Sequence, residues 1–283
     1  MIMANYGDLP AEHSNYDSAS IVIIPVPYDQ TSTWIKGADK GPDALIEASA
    51  NMELYDIETD SQVYKKGIFT DKAIIEKSSP EAMVNAVEKR VTKLIKQNKF
   101  VIVIGGEHSV SIGSIKAHSQ YFKDLTVLQL DAHADTREQY HGSAYNHACV
   151  MARARENAKI VQVGIRSIDA EEINKIDPES MFLAEDIYNS DNWAEKVISR
   201  LSENVYVTID LDVFDPSIMP STGTPEPGGL LWYDILKLLK NVAEKKHIVG
   251  FDVVELCPKK DDKAPDFLAA KLIYKFLSYR FGN

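Results

Sequence analysis

The chain has 283 residues, of which 45% are hydrophobic, and its formal net charge at pH 7 is −11. This length suffices for one large α/β domain or two small ones, and the acidic balance argues against nucleic acid as a partner while fitting a cationic substrate. No apolar run is long enough to span a bilayer, and the segment from Met1 to Asp8 lacks the basic start and apolar core of a signal peptide. Two cysteines are too few for a disulfide framework. We therefore expect a soluble cytoplasmic protein with reduced thiols and no membrane partner.

The first part of the chain predicts one strand, one loop and two helices. The apolar run over residues 20–24 predicts a buried strand that leads into a loop. Residues 28–40 show no periodicity, so no structure is predicted for them. Gly41 opens a short helix with an apolar face. Ser79 is placed as an N-cap and Pro80 as the first helical residue, which predicts a second, amphipathic helix.

The remaining chain alternates continuous apolar strands with helix-length segments and ends in a helix over residues 267–281. This pattern predicts a mostly parallel sheet covered on both faces, a three-layer α/β/α fold in a single domain over residues 1–283. In such sheets ligands lie beyond the carboxyl ends of the strands. The predicted strands of this part are 100–104, 126–130, 159–164, 205–209 and 247–253.

Two clusters of ligand-type residues follow predicted strands. Asp210 and Asp212 stand two residues apart, and in an extended strand such residues point to the same face. Neighbouring buried carboxylates repel each other and are costly to desolvate unless a cation lies between them. Asp131, His133 and Asp135 repeat this spacing after another strand. We interpret the clusters as two halves of one metal site.

Each cluster also has a simpler interpretation. An acidic residue after a strand is often a helix cap, and the segment from Gly105 to His108 alone can be a tight turn. Three ligand-type residues on alternate positions are harder to explain as a solvated surface, and the two aspartate clusters together favour a metal site. Oxygen and nitrogen ligands without a thiolate suit hard or borderline ions such as Mn²⁺, and the excess of carboxylates indicates two cations.

Several motifs, taken together and in this order, resemble those of the ureohydrolase family, which includes arginases and agmatinases. The similarity extends from about residue 20 nearly to the C-terminus. It implies an arginase-like fold and two Mn²⁺ ions per subunit. The motifs are Gly105-Gly-Glu-His108-Ser, Asp131-Ala-His-Ala-Asp135, Asn146-His147-Ala-Cys, Thr208-Ile-Asp-Leu-Asp-Val-Phe-Asp-Pro216, Gly223-Thr-Pro-Glu-Pro-Gly-Gly229 and Asp252-Val-Val-Glu255.

The resemblance also implies a role for each matching residue. One Mn²⁺ would be bound by His108 and Asp135, the other by His133 and Asp212, with Asp131 and Asp210 bridging. The paired cations would lower the pKa of a water that attacks the guanidinium carbon.

Four residues would act on the substrate. Asp135 would hydrogen-bond the nucleophile, Glu255 would clamp the guanidinium nitrogens, Thr224 would assist, and His147 would shuttle a proton to the leaving amine. Urea and a primary amine would be the products.

Two features favour agmatine over arginine as the small cationic substrate. The loop from Asp131 to His147 and the motif at residues 223–229 both resemble the agmatinase branch. Arg137 or Ser143 can still hold an α-carboxylate, so arginine, guanidinobutyrate, guanidine and formiminoglutamate remain alternatives. Residues 256–262, with Lys259 and Lys260 in a predicted solvated turn, depart from the family pattern and leave tail recognition open. By family analogy the protein forms a homo-oligomer, a trimer or a hexamer.

The histidines outside the proposed site have simpler assignments, and two other classes of protein fit the sequence less well. His141 lies in the loop at the pocket mouth and either contacts the substrate tail or faces solvent, whereas His13, His118 and His247 are assigned structural or surface positions. A mononuclear zinc deacetylase would not explain all six ligand residues, and a non-catalytic relative would be expected to have lost some of them.

Overall fold

Eight strands form one parallel sheet in this computed structural model, which describes residues 5–282. Residues 1–4 and 283, which the single-domain and signal-peptide predictions include, lie outside the described residues. The strands are β1 (Ile21–Val26), β2 (Ile68–Thr70), β3 (Phe100–Gly105), β4 (Leu125–Leu130), β5 (Lys159–Ile165), β6 (Met181–Leu183), β7 (Asn204–Asp210) and β8 (His247–Val254). Their order across the sheet is β2-β1-β3-β8-β7-β4-β5-β6.

Helices cover both faces of the sheet, which confirms the three-layer α/β/α prediction. They are α1 (Gly41–Ser49), α2 (Pro80–Ile95), α3 (Val110–Tyr121), α4 (Val150–Ala154), α5 (Ala184–Tyr188), α6 (Trp193–Arg200), α7 (Trp232–Lys245) and α8 (Ala264–Phe281). Alternate residues of β1 face opposite ways. Ile21 and Ile23 belong to the apolar core that includes side chains of α1, α6, α7 and α8, whereas Val22 and Ile24 belong to the core that includes side chains of α2, α3 and α4. Two apolar cores therefore enclose the sheet.

The helix starts follow from local chemistry. The Ser79 hydroxyl accepts a hydrogen bond from the Ala82 amide at 3.1 Å, and Pro80 begins α2 as predicted. The closing helix begins at Ala264, three residues before the predicted start at 267. The prediction missed this first turn because Pro265 and Asp266 carry no apolar periodicity.

The strands β2 and β6 were missing from the sequence prediction. Each has three residues and lies at an edge of the sheet, where a short strand is too brief to show periodicity. Within residues 5–282, no helix combines the length and the apolar character needed to cross a membrane.

Four neighbouring strands bring the candidate residues to the side of the sheet where the carboxyl ends of the strands lie, which we call the carboxyl edge. The strands β3, β8, β7 and β4 are adjacent and parallel, so their carboxyl ends meet. His108 follows β3, Asp131 follows β4, Asp210 ends β7, and Glu255 follows β8.

Candidate active site

Three carboxylates surround one nitrogen of His108. The Nδ1 atom lies 3.0 Å from Asp135 Oδ2, 3.1 Å from Asp131 Oδ2 and 3.3 Å from Asp210 Oδ2. Within the described residues this buried Nδ1 nevertheless has no hydrogen-bond partner. Its surroundings are those of a metal ligand, and the His108, Asp131 and Asp135 side chains are close enough together to hold an ion.

A second group of ligand-type residues shares Asp131 with the first. His133 Nδ1 lies 2.9 Å from Asp212 Oδ2 and 3.6 Å from Asp131 Oδ1, and these three side chains can also hold an ion. A carboxylate common to two adjacent groups is the arrangement that a bridging ligand requires.

The charges of the buried carboxylates in this cluster favour the binding of cations. Burial raises the pKa of Asp210 well above its ordinary value, and the charges of Asp212 and Asp131 raise it further. Burial and the charge of Asp131 also raise the pKa of Asp135 to about 7. Carboxylates held in this way repel one another, and a divalent ion would remove the repulsion.

The aspartates converge through turns and not through strand alternation. The strand β7 ends at Asp210, and residues 211–213 form a 3₁₀ turn in which the Asp210 carboxylate accepts a hydrogen bond from the Asp212 amide at 2.9 Å. The prediction that Asp210 and Asp212 lie on one face of an extended strand is therefore wrong. A short acidic side chain that caps the next turn bends the chain.

Two residues of the site have left-handed backbone. Asp135 has φ of 52° and Glu255 has φ of 67°, values that are uncommon for residues other than glycine. The Glu255 amide donates to the Gly106 carbonyl at 2.7 Å, and its Oε1 accepts from the His108 amide at 2.7 Å. Such strain is concentrated at functional sites and is held by the surrounding structure.

A buried chain of hydrogen bonds orients His108. The Thr208 hydroxyl donates to Asp252 Oδ1 at 2.7 Å and lies 2.9 Å from His108 Nε2. Because the hydroxyl has a single hydrogen, its oxygen accepts from Nε2–H, and this leaves the Nδ1 lone pair facing the aspartates. Sequence analysis assigned no such role to Thr208 or Asp252.

Amide side chains orient Asp131 in the same way. Gln129 Nε2 donates to Asp131 Oδ2 at 2.7 Å, and Gln162 Nε2 donates to Gln129 Oε1 at 2.6 Å. Both glutamines are buried in neighbouring strands, β4 and β5, where a polar residue within an apolar run was the available signal.

Arg166 joins the loops around the site and was missed by sequence reasoning. Its guanidinium donates to the carbonyls of Asp212 at 2.7 Å, Glu226 at 2.9 Å and Pro227 at 3.1 Å. The five N–H groups of one arginine suit this task.

One pocket contains most of the predicted site residues. It is lined by His108, His133, Asp135, Asp210 and Asp212 together with His147, Thr224, Glu255 and Arg137. The Nδ1 atom of His147 lies 3.2 Å from Thr31 Oγ1. Burial, followed by the nearby His108 and His133, lowers the pKa of His147 to about 4. Burial thus favours the neutral form of the ring.

Arg137 lies in this pocket with its charge already matched. Its Nη2 is 2.9 Å from Asp169 Oδ2, its Nε is 3.6 Å from Glu172 Oε2, and its guanidinium stacks 4.4 Å above the Tyr140 ring. Ser143, the other candidate for holding an α-carboxylate, lines a neighbouring cleft.

Two further sequence predictions can be placed. His141 lines the same neighbouring cleft as Ser143, and its ring packs edge-on against Tyr140 with the centroids 4.3 Å apart. Lys259 and Lys260 are exposed, in agreement with a solvated turn.

Comparison with known proteins gives a consistent assignment. The model of the arginase family matches residues 19–278. The chain is 36% identical to an N(1)-aminopropylagmatine ureohydrolase of Synechocystis sp., covering 94% of this chain and 90% of the relative. It is 31% identical to an agmatinase of Pyrococcus horikoshii, covering 97% of each.

The fold agrees with this assignment. The structure of the agmatine ureohydrolase of Thermoplasma volcanium matches with a TM-score of 0.88 and 33% identity, covering 99% of this chain and 95% of that one. The zinc deacetylase and the non-catalytic relative are thereby set aside. The chain belongs to the arginase family, and it is an amidinohydrolase of that family.

Proposed function

We propose that this protein is an agmatinase that hydrolyses agmatine to putrescine and urea with two Mn²⁺ ions per subunit. The observation that carries the proposal is the cluster at the carboxyl edge of the sheet. There three aspartates face the Nδ1 of His108 within 3.3 Å, and no hydrogen bond from residues 5–282 satisfies that nitrogen. Glu255 and His147 line the same pocket and supply the groups that a guanidinium substrate needs.

Six residues would hold the metal ions. The donor set of two imidazoles and four carboxylates, without a thiolate, suits Mn²⁺. The bound ions would supply Lewis acidity and a water of lowered pKa. His108 and Asp135 would hold one ion, His133 and Asp212 the other, and Asp131 and Asp210 would bridge.

The remaining residues would bind the substrate and move a proton. The carboxylate of Glu255 would accept hydrogen bonds from the guanidinium N–H groups, which form a planar fork that matches a carboxylate. Thr224 lies beside Glu255 in the pocket wall and would add a hydrogen bond. Asp135 would orient the attacking water, and His147 would take up a proton at one ring nitrogen and pass it to the departing amine, which cannot leave as an anion near neutral pH.

A second candidate substrate is N(1)-aminopropylagmatine. The relative in Synechocystis sp. is named for this compound, and it is more similar to the chain than the agmatinase of Pyrococcus horikoshii, at 36% against 31% identity. In both compounds the reacting amidino group is the same, so the metal cluster does not distinguish them. The choice depends on how the pocket mouth near Arg137 accepts the tail.

We also propose a cytoplasmic location and a homo-oligomer. The two cysteines, Cys149 and Cys257, are free and buried, which suits a reducing compartment. Ile57 is 85% exposed and Tyr233 is 80% exposed beside a shallow apolar groove, which supports association between subunits.

The test is urea release by protein reconstituted with Mn²⁺. The values of kcat/KM for agmatine, N(1)-aminopropylagmatine, arginine, guanidinobutyrate and guanidine should be compared, with formamide release measured for formiminoglutamate. A preference for agmatine supports the proposal, and a preference for N(1)-aminopropylagmatine favours the second candidate. Turnover of none of these compounds by protein with two bound metals would contradict both.

A further inference from the structure

The hydroxyl of Thr31 connects two residues that are far apart in sequence. Thr31 Oγ1 contacts a carboxylate oxygen of Glu107, lies 3.0 Å from the His147 backbone nitrogen and lies 3.2 Å from His147 Nδ1. Thr31 belongs to the loop over residues 28–40, for which the sequence predicted no structure.

The loop is held firmly at this point. The Glu107 amide donates to the Tyr28 carbonyl at 2.8 Å, and the Tyr28 carbonyl approaches Gly106 so closely that an added Cβ would lie 2.0 Å from the oxygen. Glycine at position 106 is therefore required for the contact. These contacts fix the position of Thr31 relative to Glu107.

Glu107 is placed as an acceptor. Its side chain is completely buried, and the Ser109 hydroxyl donates to one carboxylate oxygen while the Thr31 hydroxyl contacts the other. A carboxylate with a hydroxyl on each oxygen accepts both hydrogen bonds.

The hydrogen-bonding capacity of Thr31 then determines the tautomer of His147. A threonine hydroxyl has one hydrogen and two lone pairs. The hydrogen goes to Glu107, one lone pair accepts the backbone N–H of His147, and the second faces His147 Nδ1. Nδ1 must therefore carry a hydrogen, and Nε2 is left with a free lone pair.

We propose that Thr31 is a positioning residue that, with Glu107, holds His147 as the Nδ1–H tautomer and leaves Nε2 to exchange protons with the substrate. This inference rests on the proposed function only in the role of His147 as the residue that takes up a proton at Nε2 and passes it to the departing amine. Thr31 acts through His147 and has no assigned contact with the reacting atoms.

The test compares Thr31→Val, which keeps the shape and removes the hydroxyl, with Thr31→Ser, which keeps the hydroxyl. We expect Thr31→Val to lower kcat for the preferred guanidino substrate about 10- to 100-fold, the range typical for loss of an orienting partner. KM should change less than about 2-fold, because the groups that hold the guanidinium are untouched. Thr31→Ser should restore most of the activity, with Mn²⁺ content equal in all three proteins.

A second measurement does not depend on activity. In ¹⁵N-histidine-labelled protein at neutral pH, the ring signals of His147 are identified by their loss in His147→Gln. We expect the Nδ1–H tautomer in the wild type and in Thr31→Ser, and a shift toward Nε2–H in Thr31→Val.

The outcomes separate this inference from the proposed function. A wild-type protein that hydrolyses no guanidino compound would contradict the function, while the tautomer measurement would still decide the role of Thr31. An Nε2–H tautomer in the wild type, an unchanged tautomer and kcat in Thr31→Val, or a failure of Thr31→Ser to restore kcat would each overturn the inference.

Discussion

Two buried groups of charges in this protein are balanced in different ways. Lys275 lies on α8 with 7% of its surface exposed, and its ammonium contacts Asp56 at 2.9 Å and Glu58 at 2.7 Å. The Tyr279 hydroxyl also donates to Glu58 at 2.7 Å. We call this the lysine cluster. The acidic cluster at the carboxyl edge of the sheet instead gathers several carboxylates around two imidazoles; its carboxylates are Asp131, Asp135, Asp210, Asp212 and Glu255.

The difference between the clusters indicates what each is for. The lysine cluster contains its own cation, so its charges stabilise one arrangement of the chain. In the acidic cluster, burial raises the pKa values of Asp135, Asp210 and Glu255. One imidazole nitrogen has no hydrogen-bond partner within the described residues, and two residues have left-handed backbone. Buried charges that are not balanced within the chain indicate a site for an external cation.

The largest effect is expected from Asp210→Asn in the acidic cluster. This change removes a proposed bridging ligand, so we expect Mn²⁺ content to fall and kcat/KM to drop at least about 10²-fold, more than for loss of an orienting partner. Metal analysis and urea release measure these effects.

The same variant should stabilise the metal-free protein, although it weakens metal binding and activity. Removing one of several repelling carboxylates should raise the Tm of the metal-free form by about 2 °C or more, because it relieves unfavourable charge burial. A lower Tm for metal-free Asp210→Asn than for metal-free wild type would contradict our view of the cluster.

Lys275→Met should destabilise the fold without affecting the metal site. It leaves Asp56 buried without its cation, and we expect a loss of about 3 kcal/mol in the free energy of unfolding, the lower end for a broken buried pair because Glu58 is partly exposed. Urea denaturation measures the loss.

The matched control for this variant is Lys271→Met one turn earlier, where the ammonium contacts the Glu53 carbonyl. It should cost much less. An equal loss in both variants, or a fall in Mn²⁺ content in Lys275→Met, would remove the distinction between the two clusters.

The smallest effect is a pH dependence of the lysine cluster. Partial burial opposes ionisation of Glu58, but hydrogen bonds from Lys275, Tyr279 and Lys240 lower its pKa to about 2. A lowered folded-state pKa gives stability that is present above the unfolded pKa, near 4.3, and is lost as the pH falls through the folded value. The stability difference between wild type and Lys275→Met should therefore shrink as the pH falls from about 4.3 toward about 2. Denaturation curves measured over this pH range give that difference. A difference in unfolding free energy that stays constant from about pH 4.3 to about pH 2 would argue against a charge-based role for the lysine cluster.

Sequence reasoning predicted the central strands and the residue types of the site, but not how the site is built. The long apolar runs of β3, β4, β7 and β8 are a local signal. The short edge strands had no such signal. Spacing indicated that Asp210 and Asp212 converge, although the turn that brings them together depends on a side-chain cap that strand periodicity does not contain.

The sequence by itself determined the chemistry available to this protein, because residue types and their local spacing decide which side chains can bind a cation and where apolar strands form. The tertiary structure alone decided which strands are neighbours and which distant side chains orient the site. The contact of Thr31 with His147 spans 116 residues, and the contact of Thr208 with His108 spans 100. Such contacts arise from packing of the whole chain, and a local pattern carries no information about them.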